Sequence, residues 1–399
     1  MMILLYIDPG TGALIINLLI ALGTTIVFYF KSFFFWILNI RKDVTIVKKS
    51  SISLFSEGEK YWDTFKPIVD SFIEKGIYFQ YYTMSFKDPA LLIENEFIDS
   101  KYIGEGIIGH YKFSKIKCQN LITTTPNIGN KKYPLKRPIH VKNMIHVFHS
   151  IIGTSHYKKG SLDNYDSVII GGEYQIDDIR KIERLRKLKE KKLYELGIPY
   201  LDVLNKNKKI ITTNETTVLI ASSWGDKGCF KNYGTDFITK LLSKGYYIII
   251  RPHPHSFSHE KELILKIKNL FEKNKKVKWD QSPSPTNSMN CSDILISDSS
   301  SIRFDFSFVH KKPVITLKIK SSEMVGFENQ DLESEWEEKS EKLIGAVIDK
   351  SKINKIDQVI KDTLSSFNSK SLNKLVDNTF YNFGNSGDAI SNYFFKKDD

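Results

Sequence analysis

The sequence predicts an α/β protein with two domains, each built on a parallel, doubly wound sheet. The chain has 399 residues, which is more than one hydrophobic core usually holds together. Short β-rich segments alternate with helical patterns along most of its length, and a polar, basic stretch at 205–209 separates two such series. We therefore expect an N-terminal segment (1–42), a first α/β domain (43–205) and a second α/β domain (206–399) that ends in helices.

Strands and helices alternate in the first predicted domain. Glycines and polar turns end several of these segments, as expected where a strand passes into a helix. The predicted strands are 52–55, 78–82, 121–124, 144–148 and 167–170, and the predicted helices are 61–75 and a long basic helix at 177–196.

The second predicted domain repeats this alternation. Its strands are predicted at 218–221, 246–250, 293–297 and 314–317, and its helices at 235–244, at 261–273 and from residue 302 onwards. The helix that starts at residue 302 is expected to end at Lys311-Lys312-Pro313, because proline does not continue a helix.

The N-terminal segment has the pattern of a membrane anchor. Residues 13–30 form a run without a charged side chain, about as long as the hydrocarbon core of a bilayer requires. The aromatic residues 33–36 suit a membrane interface, and Lys and Arg follow the apolar run but do not precede it. We expect a single-pass anchor in the inner (cytoplasmic) membrane with the two α/β domains on the cytoplasmic side. A cleaved signal peptide is the alternative, although its basic n-region and small-residue cleavage site are both missing.

Charge and cysteine content limit the classes of partner. The chain has 58 Lys and Arg against 46 Asp and Glu, a net charge of +12, which suits an anionic partner. Three scattered cysteines without a CxxC pair argue against a disulfide framework or a zinc site. The basic run 180–192 is either a solvated helix face or a contact for anionic headgroups or a lipid-linked phosphate. Nucleic acid is not an expected partner, because no aromatic and basic binding pattern accompanies this run.

A hydroxyl-rich turn, Asp298-Ser299-Ser300-Ser301, joins a hydrophobic strand to an apolar helix. The free N–H groups at such a helix start face the carboxyl edge of a parallel sheet, where phosphates bind. Plain N-capping is the alternative interpretation. Asp298 would repel a phosphate, so it is expected to cap or to bind ligand hydroxyls, whereas the three serines are expected to bind phosphate. Asp305 is expected to be a buried acid with a partner.

Arg251-Pro252-His253-Pro254-His255 follows another apolar strand. The prolines stiffen this loop, Arg251 can form paired hydrogen bonds with phosphate oxygens, and His253 can donate a hydrogen bond or a proton to a leaving phosphate. A rigid surface loop with incidental histidines is the alternative. No third ligand for a metal lies close in sequence, so a metal site is not predicted.

His149 follows the predicted strand 144–148. A histidine at a strand end can act as a general base for a hydroxyl nucleophile, since its pKa lies near neutrality. Lys158 and Lys159, on the loop that follows, could hold an acceptor phosphate. His146 lies on the strand itself and is expected in the core.

These segments together resemble the CDP-glycerol glycerophosphotransferase family, the teichoic-acid primases and polymerases. The resemblance runs from about residue 45 to the C-terminus. It rests on Gly197-Ile-Pro-Tyr-Leu-Asp202, on Val218-Leu-Ile-Ala-Ser-Ser-Trp224, on Arg251-Pro-His-Pro254, and on Ser297-Asp-Ser-Ser-Ser-Ile-Arg-Phe-Asp305 with Lys312-Pro-Val-Ile315. The chain departs from the family where Ser-Ile-Ile separates His149 from Gly153-Thr154, since the family often has His-Gly-Thr.

The resemblance implies a GT-B architecture of two Rossmann-like domains, without a metal or another cofactor. The expected donor is a CDP-polyol, with CDP-glycerol preferred, and the expected acceptor is a glycan or polyprenyl-linked molecule of the cell envelope, for teichoic acid or capsule synthesis. His149 and His253 would be catalytic, and Lys158 and Lys159 would bind the acceptor. The donor-binding residues would be Ser223, Arg251, Asp298, Ser299, Ser300 and Ser301. A GT-B glycosyltransferase that uses a nucleotide-sugar and a membrane-tethered binding protein without activity are the alternatives.

Overall fold

The fold is taken from a computed structural model that describes residues 16–27, 29–30, 51–211, 215–282, 284–319, 327–328, 332 and 335–395. Residues 16–27 and 29–30 are helical, and their side chains are exposed. The rest of the predicted anchor and its aromatic flank lie outside the described residues. Within the described part of the chain, no helix combines the length and the apolarity needed to cross a membrane. The transmembrane span therefore stays a prediction.

The first domain contains a parallel sheet of seven strands. They are β1 (Ile52–Ser56), β2 (Phe79–Thr83), β3 (Ile98–Tyr102), β4 (Lys117–Thr123), β5 (His140–Val147), β6 (Ser167–Ile169) and β7 (Lys192–Tyr194). Their order in the sheet is β3-β2-β1-β4-β5-β6-β7, and every neighbouring pair is parallel. All five residues of the interior strand β1 are buried, as expected for a strand covered on both faces.

Four α-helices belong to this part of the chain: α1 (Trp62–Glu74), α2 (Gly106–Phe113), α3 (Glu173–Arg186) and α4 (Tyr200–Asn207). Short 3-10 turns lie at Glu59–Tyr61, Pro89–Leu92 and Thr154–His156. Helix α4 covers the beginning of the stretch that the sequence suggested as an interdomain linker.

The predicted helix 177–196 is wrong in its extent. Helix α3 ends at Arg186 because Lys187 adopts a left-handed conformation (φ 54°) and the Leu188 N–H closes the helix on the Glu183 carbonyl at 3.0 Å. The chain then enters β7, an edge strand that the sequence did not indicate. Arg180 is paired with Glu183 at 2.6 Å, so part of the basic run is neutralised within the fold.

The second domain contains a parallel sheet of six strands. They are β8 (Thr217–Ser222), β9 (Tyr247–Pro252), β10 (Val277–Trp279), β11 (Ile294–Ser297), β12 (Val314–Leu317) and β13 (Gly345–Ile348). Their order is β10-β9-β8-β11-β12-β13, again with every neighbouring pair parallel. The four strands predicted here are confirmed to within two residues at each end, and the fold class of two parallel-sheet α/β domains is confirmed with them.

Among the described residues, ten further α-helices follow α4: α5 (Cys229–Tyr233), α6 (Asp236–Ser243), α7 (Ser256–His259), α8 (Lys261–Phe271), α9 (Thr286–Cys291), α10 (Ile302–His310), α11 (Glu335–Leu343), α12 (Ile356–Ser366), α13 (Ser369–Thr379) and α14 (Ser386–Phe395). Two 3-10 turns lie at Gly225–Lys227 and Lys350–Lys355.

The last helix returns to the first domain. Ile390 and Phe394 of α14 are buried in the same apolar cluster as Phe65, Ile68 and Phe72 of α1. The domain division near residue 205 stays a prediction. Residues 386–395 were assigned to the second domain, but they pack against the first. Burial of these side chains contributes to holding the two domains together.

Candidate active site

Three loops of the second domain meet at one sheet edge. Strands β9, β8 and β11 are neighbours, with Ser222 paired to Pro252 and Ala221 to Ser297. Because parallel strands end at the same edge, the loops that follow them lie side by side. The predicted donor-binding residues of the second domain are therefore brought together.

Asp298 connects these loops from inside the protein. Its carboxylate is fully buried and accepts hydrogen bonds from the Ser223 N–H (2.9 Å), the Ser223 Oγ (2.6 Å) and the Cys229 N–H (2.8 Å). It also accepts a bond from the N–H of Ser300 at 3.2 Å. Burial raises the pKa of Asp298, and these hydrogen bonds oppose the rise. The contacts describe an organising role for Asp298 and Ser223, and donor binding by either residue stays a prediction.

The serine hydroxyls at the start of α10 are available to a ligand. Ser299 is exposed, and Ser300 and Ser301 are partly exposed. Ser301 occupies the N-cap position, but its side chain makes no capping hydrogen bond. Within the described part of the chain, no group is hydrogen-bonded to any of the three hydroxyls. Plain N-capping by these serines is thus not what the structure contains, while phosphate binding by them stays a prediction.

Arg251 forms an ion pair that the sequence did not indicate. Its Nη1 lies 2.6 Å from Asp280 Oδ2, its Nη2 donates to the Ser282 carbonyl at 2.8 Å, and both side chains of the pair are at most a tenth exposed. Burial alone would raise the pKa of Asp280. Hydrogen bonds from Ser282 and Ser288 and the charge of Arg251 outweigh this effect and lower the pKa. The guanidinium therefore braces the ends of β9 and β10, and its contact with a donor phosphate stays a prediction.

His253 lies in a cluster of aromatic rings at the surface. Its Nδ1 accepts a hydrogen bond from the His255 N–H at 3.1 Å, and the two imidazoles are stacked with centroids 5.2 Å apart. The half-exposed Trp224 lies 5.3 Å from the His255 ring and 5.0 Å from the His259 ring. Burial, followed by the charges of His255 and Arg251, lowers the pKa of His253 to about 4, so this imidazole is neutral at pH 7.

His149 is the candidate base in the first domain. Its Nδ1 lies 3.0 Å from the Thr124 Oγ1, at the end of the neighbouring strand β4, and its ring meets the Tyr61 ring edge-on at 5.3 Å. Burial first, and the charge of Lys60 second, lower the pKa of His149 to about 4. This imidazole is also neutral at pH 7 and can accept a proton.

Lys60 is a site residue that the sequence analysis missed. Its Nζ lies 4.8 Å from the centroid of the Tyr61 ring that contacts His149. Its charge also contributes, after burial, to the lowered pKa of His255 in the second domain. Lys60 thus lies within electrostatic reach of candidate residues from both domains. Its position directly after β1 was the signal that could have found it.

Lys158 and Lys159 are exposed on the loop that follows His149. The backbone of Lys158 forms an isolated antiparallel bridge with Phe327, from the chain that follows β12. His146 is fully buried and lies 3.0 Å from the Tyr157 hydroxyl through its Nε2, as expected for a core residue. Acceptor binding by the two lysines stays a prediction.

A cavity of about 490 Å³ lies beside this loop, between α3 and α11. Tyr174 and Trp336, whose rings are stacked at 4.1 Å, form part of its wall. The cavity contains none of the predicted donor-binding residues. Within the described residues, no three His, Cys, Asp or Glu side chains are grouped as a metal ion would require.

Comparisons with known proteins agree with this organisation. Residues 147–322 match the family described as CDP-Glycerol:Poly(glycerophosphate) glycerophosphotransferase, and these residues include His149, the Arg251 loop and the serine turn. No curated protein matches the chain.

Solved structures share the fold. The wall teichoic acid polymerase TagF is 15% identical, with a TM-score of 0.57 over 88% of this chain and 90% of that chain. The UDP-GlcNAc 2-epimerase of Methanocaldococcus jannaschii is 14% identical, with a TM-score of 0.51 over 87% of this chain and 99% of that chain. A glycosyltransferase from Rickettsia africae is 14% identical, with a TM-score of 0.52 over 88% of this chain and 98% of that chain. At such identities the likeness shows the fold alone, which is of the GT-B type. Residues 147–322 thus match the CDP-glycerol glycerophosphotransferase family that the motifs predicted, and this match supports a transferase of that type.

Proposed function

We propose that the chain transfers glycerol phosphate from CDP-glycerol to a hydroxyl group of a glycan or lipid-linked acceptor and releases CMP. The observation that carries the proposal is the sheet edge at which the loops after β8, β9 and β11 meet, because it brings His253 and the three serine hydroxyls together within the segment that matches the family. Lys60, whose Nζ lies 4.8 Å from the ring of Tyr61 beside His149, adds a cation from the first domain. A cation at this position suits a phosphate held between the domains, because its charge opposes that of the phosphate.

The donor diphosphate would lie on the second domain, at the start of α10. The helix start carries a partial positive charge, and the hydroxyls of Ser299, Ser300 and Ser301 are available there. His253 accepts the His255 N–H through Nδ1, so its proton is on Nε2. That N–H can donate a hydrogen bond to the departing CMP phosphate.

The acceptor hydroxyl would give its proton to the Nε2 of His149, since Nδ1 faces Thr124. The oxygen then attacks the β-phosphorus of the donor and forms a new P–O bond. The bond between that phosphorus and the bridging oxygen breaks, and its electron pair leaves with CMP. A base with a pKa of about 4 is weak, but an anionic diphosphate beside His149 favours the imidazolium and raises this pKa towards neutrality, where a base is most effective.

The proposal includes attachment to the cytoplasmic face of the inner membrane. Its support is the uncharged run 13–30, the exposed apolar side chains of 16–27, and the Lys and Arg residues that follow the run. Full-length protein should stay in the membrane fraction after an alkaline carbonate wash. Recovery of the intact chain in the supernatant would exclude an anchor.

Nucleotide release from a panel of donors tests the reaction. Purified protein is incubated with CDP-glycerol, CDP-ribitol, and UDP- and CMP-sugars, each with and without a glycan acceptor. Acceptor-dependent CMP release from CDP-glycerol is expected. Turnover of nucleotide-sugars alone would favour a glycosyltransferase instead, and tight binding without any turnover would favour a binding protein.

A further inference from the structure

The loop of residues 153–160 follows the candidate base His149 and is held from the second domain. Glu337, on α11, accepts a hydrogen bond from the Gly153 N–H through Oε1 at 3.4 Å. Its other oxygen, Oε2, lies 2.8 Å from Nε2 of His156. The carboxylate of Glu337 therefore connects both the beginning and the middle of the loop to the second domain.

A second carboxylate holds the other end of the 153–160 loop. Glu328 follows β12 in the chain and is 2% exposed. It accepts a hydrogen bond from the Gly160 N–H at 3.0 Å, and it is paired with Arg186 of α3. The N–H of Glu328 in turn donates to the Tyr157 carbonyl at 2.8 Å.

The environment of Glu337 suits a fixed, charged contact. Its side chain is 12% exposed, and the ring of the preceding Trp336 is stacked on Tyr174 with an interplanar angle of 13°. Burial opposes ionisation of Glu337, but the charge and hydrogen bond of His156 outweigh it and lower the pKa of this carboxyl. The ionised carboxylate of Glu337 therefore forms a charge-assisted contact with His156.

We propose that Glu337 is a positioning residue for the transfer reaction: it fixes the 153–160 loop, with Glu328 at the other end, so that acceptor binding in the first domain depends on the second domain. This inference rests on the proposed function. It follows because the loop begins four residues after His149 and carries Lys158 and Lys159, the candidate acceptor contacts. A displaced loop would change where the acceptor lies without changing the donor-binding loops on the other sheet.

Kinetics of Glu337→Gln test the proposal, with Glu338→Gln as the matched control. Glu338 is the next residue of the same helix and is exposed. Glu337→Gln should raise the KM for the acceptor about 10-fold to 100-fold, the range expected for one lost charge-assisted hydrogen bond, while the KM for the donor stays unchanged. His156→Gln should act in the same direction, and the double variant should be less affected than the product of the two single effects predicts. An unchanged acceptor KM, or equal changes for donor and acceptor, would overturn the proposal.

Amide hydrogen exchange provides a readout that does not depend on activity. Peptides that cover 153–160 should exchange faster in Glu337→Gln than in wild type, and at the wild-type rate in Glu338→Gln. Unchanged exchange in Glu337→Gln would show that Glu337 does not hold the 153–160 loop. If wild-type protein fails to use CDP-glycerol but the exchange difference is present, the proposed function is wrong, whereas the attachment of the 153–160 loop by Glu337 is confirmed.

Discussion

The carboxylate of Asp202 caps the C-terminal helix by accepting the N–H of Gly387 at 2.7 Å. Its second oxygen accepts the N–H of Ser386 at 3.0 Å. Asp202 ends the segment Gly197 to Asp202, one of the motifs on which the family resemblance rests, and Gly197 has a positive φ of 93°. A Cβ at Gly197 would lie 2.3 Å from the Ser386 Oγ. The segment therefore fastens helix α14, which returns from the second domain to the first.

Loss of this cap should destabilise the protein. Asp202→Ala leaves two N–H groups at the start of α14 without their acceptor, and we expect the free energy of unfolding to fall by about 1 kcal/mol at pH 8. Asp202→Asn retains one side-chain oxygen, so its free energy of unfolding should fall by less. Urea denaturation of the three proteins measures the difference. Equal stabilities of wild type and Asp202→Ala would show that the cap does not contribute.

A second prediction concerns the buried ion pair between Arg251 and Asp280. Arg251→Met leaves the carboxylate of Asp280 without its cation, and removing one partner of such a pair costs about 3–5 kcal/mol. The melting temperature should fall clearly in this variant and recover in Arg251→Met/Asp280→Asn, which removes both charges. If the double variant regains stability but still binds CMP weakly, Arg251 contacts the donor as well. No loss of stability in Arg251→Met would contradict the bracing role.

The serine turn should separate ligand binding from stability. Simultaneous replacement of Ser299, Ser300 and Ser301 by Ala should change the free energy of unfolding by less than about 0.5 kcal/mol, because their hydroxyls make no hydrogen bond within the described part of the chain. The Kd for CMP, measured by calorimetry, should rise on the order of tenfold. Ser297→Ala is the control, since the buried Ser297 Oγ donates to the Ala221 carbonyl at 2.6 Å. This control should lose stability and keep its CMP affinity, and the opposite pattern would refute a phosphate site at the turn.

Asp305 should make stability depend on pH. Burial raises the pKa of this carboxyl from 3.8 to about 8, and its Oδ1 has no hydrogen-bond partner among the described residues. Between these two values the folded protein keeps a proton that the unfolded chain has lost, so stability falls as the pH rises from about 4 to about 8. Asp305→Asn removes this titration without changing the size of the side chain.

Wild type should therefore lose more stability than Asp305→Asn between pH 5 and pH 9, as measured by urea denaturation. Parallel pH profiles of the two proteins would show that Asp305 is ionised in the folded state. The sequence predicted a buried acid with a partner at this position; burial is confirmed, and a partner for Oδ1 is not found in the described part of the chain.

The sequence was most informative where strong local signals bound an element. Strand β12 was predicted with the limits that it has, because a Pro precedes a run of β-branched residues. The edge strands β3, β7, β10 and β13 were missed. Strands β7, β10 and β13 have only three or four residues, too few to show a periodicity, and β3 is rich in polar residues. Helix α3 was overextended because the run of Lys beyond Arg186 suits a helix as well as a loop.

The site was less predictable than the fold because it depends on which strands become neighbours. Arg251 meets Asp280 only because β10 lies beside β9, and Asp298 meets Ser223 only because β11 lies beside β8. The motif residues were predicted at the correct sheet edge. The ion-pair partner of Arg251 and the hydrogen-bond donors to Asp298, however, come from loops that follow other strands. Lys60 was missed for the same reason: it follows β1 in the sequence, but only the order of the strands brings that end of β1 close to the end of β5, where His149 lies.

Phosphorus NMR of a single reaction mixture tests the central claim most directly. CDP-glycerol, a glycan acceptor and the full-length protein are followed together, with His149→Ala as the parallel sample. We expect a phosphodiester signal and a CMP signal to grow at equal rates with wild type. With His149→Ala, both signals should be absent or grow much more slowly, although CMP binding is retained. Equal product formation by the two proteins would contradict His149 as the base, and CMP without the phosphodiester, or no CMP from wild type, would contradict glycerol phosphate transfer.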